Sequence, residues 1–136
     1  MRLALVPFAA LLLAACGSDP ASGTGFPEAA LAAVGGDGGG ATIEVRTSPQ
    51  PPTRGSIEVE YTVAKAGVPV DGLTLEVTPF MPDMGHGATV EPTVTAEGGG
   101  KYLIGNVELY MAGRWELRTT LHGAVEDTAA VELQVQ

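Results

Sequence analysis

The stretch SIEVEYTVA, Ser56 to Ala64, alternates without a break. Ile57, Val59, Tyr61 and Val63 fall on one side of an extended chain, with Glu58, Glu60 and Thr62 on the other. A repeat of two is that of a strand with one dry and one wet face, and β-branched and aromatic residues suit its pleated surface. The fold class follows from this stretch: β structure with a core on one side.

The same pattern recurs on either side. TIEVRTS (42–48) precedes it, and LTLEVTPF (73–80), TVEPTVTA (89–96), KYLIGNVEL (101–109), RWELRTTL (114–121) and TAAVELQV (128–135) follow. Turn-forming breaks separate them: PQPPTRG, KAGVPVDG, EGGG, MAG and HGAVED. Seven short, evenly spaced strands over residues 42–136 predict an all-β, immunoglobulin-like β-sandwich. Pro92 cannot donate to a ladder, so its strand belongs at a sheet edge or carries a bulge. The Gly113-Arg114-Trp115 step resembles the corner before the sixth strand of many immunoglobulin-like domains, where a tyrosine usually sits. Alternation puts Trp115 on one face with Leu117, Thr119 and Leu121, as the main core aromatic.

The chain begins MRLALVPFAALLLAAC. Arg2, an apolar run from Leu3 to Leu13 and small residues after it have the order of a secretory signal, and the run is too short to span a bilayer. LAAC, Leu13 to Cys16, resembles the lipobox of bacterial lipoproteins. The resemblance implies a signal peptide over 1–15, cleavage before Cys16 and acylation of that cysteine, which anchors the chain in the cell envelope. Each buried methylene contributes about 0.8 kcal/mol, so several acyl chains make a lasting anchor. Gly17, rather than an aspartate, follows the cysteine; by the sorting rules of Gram-negative lipoproteins this favours the outer membrane, facing the periplasm. Residues 16–41 read as lipidated cysteine plus flexible linker, with a short helix over 27–34 between two glycine-rich pieces. The linker is expected to join the sandwich at the end away from the methionines.

Cys16 is the only cysteine, so the folded part has no disulfide, no zinc–thiolate site and no cysteine nucleophile. The formal charge of −9 leaves no footprint for nucleic acid and no attraction to an anionic membrane surface.

Past the signal, methionine occurs only at 81, 84 and 111 and histidine only at 86 and 122. Met81, Met84 and His86 lie together in MPDMGHG, and none of the three methionines is expected inside a strand. If strands alternate in direction, the connections after the first, third and fifth share one end of the sandwich. Met81, Met84, His86 and Met111 then meet there, and His122 lies at the other end. Three thioethers and an imidazole suit Cu(I), since soft ligands select soft ions. Asp83 is a lesser candidate as an oxygen ligand. The same residues also fit a metal-free docking surface, because methionines make adaptable contacts. Catalysis is not expected: His86 has no partnered nucleophile, and two histidines at opposite ends do not build a redox copper enzyme.

From VDGLTLEVTPFMPDMGHG through EGGGKYLIGNVELYMAGRWEL the chain resembles the YtkA-like family, extracytoplasmic bacterial domains related to FixH-type proteins. MPDMGHG, the GKY step and MAGRW carry the likeness, which covers roughly residues 43–136. It implies a small β-sandwich, often a lipoprotein, working near copper handling, heavy-metal efflux and oxidase assembly. By the same likeness Met81, Met84, His86 and Met111 are the metal positions, and a copper acceptor or an oxidase-assembly or efflux protein is the partner.

Overall fold

The computed structural model describes residues 25–136. The alternation at Ser56 runs through the whole of β3 (Gly55–Lys65), and Ile57, Val59, Tyr61 and Val63 are all buried. Around it lie β1 (Ala32–Gly35), β2 (Thr42–Ser48), β4 (Val68–Pro69), β5 (Thr74–Met81), β6 (His86–Gly87), β7 (Thr93–Gly98), β8 (Lys101–Leu109), β9 (Gly113–His122) and β10 (Asp127–Val135). Two sheets form. One runs β1-β2-β3-β8-β7 with β4 on the end of β3, the other β10-β9-β5-β6, and every pairing is antiparallel. This is the expected all-β sandwich, and the seven patterned stretches are β2, β3, β5, β7, β8, β9 and β10.

The inner faces interdigitate around Trp115, which is 1% exposed. Leu117, Thr119 and Leu121 share its face, and Leu133 stands opposite Trp115 across the β9–β10 ladder. Tyr61 bridges the sheets: its hydroxyl and that of Thr119 lie 3.0 Å apart in the core, and burial pushes the phenol well above its ordinary value. Tyr102 donates to the Val70 carbonyl at 2.7 Å and accepts the Leu73 N–H at 3.1 Å, tying the crossover into β5 to the first sheet.

Two strands depart from simple alternation. β8 buries Tyr102 and Ile104, then Val107 and Leu109, a change of parity. Gly105 and Asn106 face the single residue Glu58, and Asn106 takes the left-handed conformation (φ 55°), so a bulge restores the core phase. β7 starts at Thr93, after Pro92, and is the edge strand that the proline required.

The expected linker is corrected by the structure. From Gly25 onward the chain packs on the sandwich, and in place of the helix over 27–34 there is β1, paired with β2 from Ala32↔Val45 to Gly35↔Thr42. So short a helix has little stability in water, whereas strand pairing satisfies the backbone and lets Leu31 and Val34 cover the core. Phe26, Pro27 and Glu28 lie near Glu60 on the outer face, and Glu60 is buried although its phase points outward. Because β1 runs against β2, the chain also enters at the other end from the one expected. Gly25 lies beside Ser48, the last residue of β2, where the chain turns toward β3. The signal, Cys16 and the rest of residues 1–24 lie outside the described residues.

Asp127 fastens this N-terminal piece to β10. Its carboxylate accepts the N–H groups of Gly38 (2.7 Å), Gly40 (3.0 Å), Ala41 (3.1 Å) and Thr128 (2.9 Å). These bonds, Gly38 foremost, hold its carboxyl below the usual carboxylate range. A depressed folded value means the contribution is fully present above the unfolded value of about 3.9 and is lost as pH falls through the folded one. Asp127→Asn is therefore expected to lower the urea midpoint at pH 7, and the gap to the parent should close below about pH 4. A gap unchanged at acid pH would show that the carboxylate charge is not what holds the turn.

Candidate metal centre

β5 keeps its phase through Pro79 to Met81, so Leu75, Val77 and Met81 all turn inward. Met81 is 4% exposed and closes the strand, which corrects the expectation that no methionine lies within one. Its methyl packs beneath the next connection: a Cβ added to Gly113 would sit 3.1 Å from Met81 Cε.

From Met81 the chain reverses at once. The Met81 carbonyl accepts the N–H of Met84 (3.2 Å) and of Gly85 (2.9 Å), and Gly85 takes φ +67°, a conformation open to glycine. His86 then returns in β6 directly across from Met81. Directly opposed antiparallel residues lie on one face with Cβ atoms about 4.5–5.5 Å apart. The register therefore sets Met81 and His86 side by side at the open end of the sandwich, the first buried and the second exposed. Met84 sits in the turn between them and is 53% exposed.

Met111 comes from the connection between β8 and β9 and is 39% exposed. Its carbonyl accepts the Trp115 indole N–H at 2.9 Å, so the largest core side chain fixes this turn from below. The two connections touch twice: through Met81 beneath Gly113, and through Arg114, whose guanidinium meets Asp83 at 3.0 Å. The structure thus brings the connections that carry Met81, Met84, His86 and Met111 to one end. His122 closes β9 at the opposite end, bonded to Glu126 and paired with Thr74 at the start of β5. The length of β5 puts it on the order of 20 Å from the methionines.

Sequence reasoning missed two features of this end. Arg114 entered the sequence reading only as part of the step before Trp115, yet besides Asp83 it approaches Glu116 and Glu132 and ties the loop to β9. Tyr110 is half exposed beside Met111, and hydrogen bonding with Glu108 is the main cause that pushes its phenol up. The strand phase around each is visible in the sequence; the partners are not.

Among the described residues, no three His, Cys, Asp or Glu side chains gather as a metal cluster. Apart from Asp83, which Arg114 engages, the donors on these two connections are thioethers and one imidazole, a set that fits a soft ion.

A family model described as YtkA-like matches residues 38–120. The chain belongs to the YtkA-like family. The YtkA-like match starts in the glycine turn before β2 and stops within β9, so it contains both connections of the candidate centre and leaves β1 and β10 outside. No curated protein and no solved structure matches the chain.

Proposed function

We propose that this YtkA-like protein is a lipid-anchored extracytoplasmic copper carrier that holds or passes Cu(I) through Met81, Met84, His86 and Met111. The observation that carries the reading is the hairpin that sets His86 across from Met81 and Met84 in the turn between them, against the connection that bears Met111. Binding suits this set better than catalysis. Met84, His86 and Met111 are exposed, so an acceptor can replace one ligand at a time, while the buried Met81 keeps its place on the rigid end of β5. Thioethers carry no proton to lose, so uptake through them persists in acid, whereas His86 binds only when neutral.

Acylation at Cys16 would hold the protein in the envelope, facing the periplasm at the outer membrane. The entry of the chain beside Ser48 supports a working arrangement in which the tether reaches the sandwich on the half that carries the methionines. A copper acceptor, or an oxidase-assembly or efflux protein at the membrane, is the partner class this arrangement serves.

The test is an anaerobic Cu(I) competition against a chromogenic chelator, using the 17–136 chain, which keeps every described residue. One equivalent should bind to the parent, and Met84→Ala/His86→Ala should weaken it on the order of a hundredfold or more. A second reading, a metal-free docking module, is favoured by the exposure of Met84, Val90, Tyr110 and Met111, apolar side chains on and beside these connections. It predicts no competition from either protein and tolerance of the loss of His86.

A further inference from the structure

Asp83 is the only acid within the MPDMGHG loop, so it is the one carboxylate the loop itself could offer to a metal. In the structure it is already engaged: Arg114 Nη2 lies 3.0 Å from Asp83 Oδ1. Arg114 also reaches Glu116 at 3.6 Å and Glu132 at 3.8 Å through its other terminal nitrogen, so the guanidinium is held from the side of its own sheet. It follows Gly113, which packs on the Met81 methyl. The guanidinium thus ties the loop's one carboxylate to the outer face of β9.

We propose that Arg114 is the specificity-determining residue of the candidate centre: by holding Asp83 it leaves the loop only thioethers and an imidazole, and so rejects Cu(II) in favour of Cu(I). This rests on the copper reading above. The physical grounds are twofold. Hard and borderline divalent ions take carboxylate oxygen readily, while a soft monovalent ion gains little from it. Removing the guanidinium also leaves Asp83, Glu116 and Glu132 without their counter-charge, and the excess negative charge favours a divalent ion more than a monovalent one. As a surface ion pair, the contact adds little to stability, so its removal should leave the fold intact.

Arg118 supplies the control. It lies on the same outer face of β9, bonds to Glu116 and stacks 3.7 Å over the Phe80 ring, with no contact to Asp83. Arg114→Gln and Arg118→Gln remove the same charge from the same strand, and only the first releases Asp83. Dissociation constants for Cu(I) and for Cu(II) are to be measured by chelator competition on the 17–136 chain. Arg114→Gln should bind Cu(II) about tenfold more tightly while Cu(I) affinity changes little. Arg118→Gln should behave as the parent, Arg114→Lys should keep most of the discrimination, and Asp83→Asn/Arg114→Gln should lose the gain. An unchanged Cu(II) to Cu(I) ratio in Arg114→Gln, with Cu(I) still bound, overturns the role of Arg114 and leaves the copper reading standing. An equal gain in Arg118→Gln overturns it too, by making the effect one of general charge. A parent that takes up no Cu(I) defeats the copper reading, and this inference with it.

Discussion

Trp115→Ala is expected to destabilise the domain by about 3–5 kcal/mol, as large aromatic truncations in packed cores do. The side chain is fully buried between the sheets, flanked by Leu117 on its own strand and facing Leu133 on β10. The indole N–H is also the group that holds the Met111 carbonyl, so a second effect is separable from the first. Trp115→Phe keeps much of the apolar contact, and besides a smaller cavity it removes that donor. It should cost less, on the order of 1–2 kcal/mol, and still weaken Cu(I) binding, because the turn bearing Met111 loses its tie to the core. Urea denaturation of both variants beside chelator competition reads the two effects apart. If Trp115→Phe bound Cu(I) as the parent does, the anchoring of Met111 by the indole would be irrelevant to the site.

Gly100→Ala should be nearly as damaging for a different reason. Gly100 sits at φ +77° in the turn from β7 to β8, where its N–H meets Asp71 at 2.7 Å and its carbonyl receives the Val63 N–H at 2.7 Å. An added Cβ would stand 2.7 Å from the Val63 carbonyl oxygen and 2.9 Å from Pro69 Cβ. The first is backbone and the second a rigid ring, so neither can move aside cheaply. Left-handed strain and this clash together are expected to cost about 2–4 kcal/mol. The position is at the end of the sandwich away from the methionines, so the loss should appear in the urea midpoint and not in Cu(I) affinity. Gly99 is the comparison. It has φ +63° and open space around its missing Cβ, so Gly99→Ala bears the strain without the collision and should cost less.

The difference between what could and could not be read in the sequence lies in how far each partner is along the chain. Strands such as β3 and β9 declare themselves because alternation is local, and Trp115 could be placed in the core from its own neighbours. The parity change in β8 is hidden because KYLIGNVEL presents two competing phases, and only pairing with Glu58 shows that Gly105 and Asn106 absorb the extra residue. β1 is hidden for a related reason. Ala32–Gly35 has weak preference of its own, and what orders it comes from β2 and from Asp127, 86 to 89 positions from the N–H groups it accepts. Met81 was misread because the strand was closed at Phe80, where MPDMGHG begins; the core phase carries one residue further and ends on Met81. Bringing Met81, Met84, His86 and Met111 to one end needed only the alternation of strand direction. The direct opposition of His86 and Met81 was not legible, since β6 is a two-residue strand and shows no period.

The most direct measurement is X-ray absorption at the copper edge on the 17–136 chain loaded anaerobically with one equivalent of Cu(I). A Met81, Met84, Met111 and His86 site predicts a first shell dominated by sulfur with one imidazole nitrogen, and loss of the nitrogen contribution in His86→Ala. A shell of oxygen and nitrogen alone, or a protein that retains no copper on desalting, would contradict it.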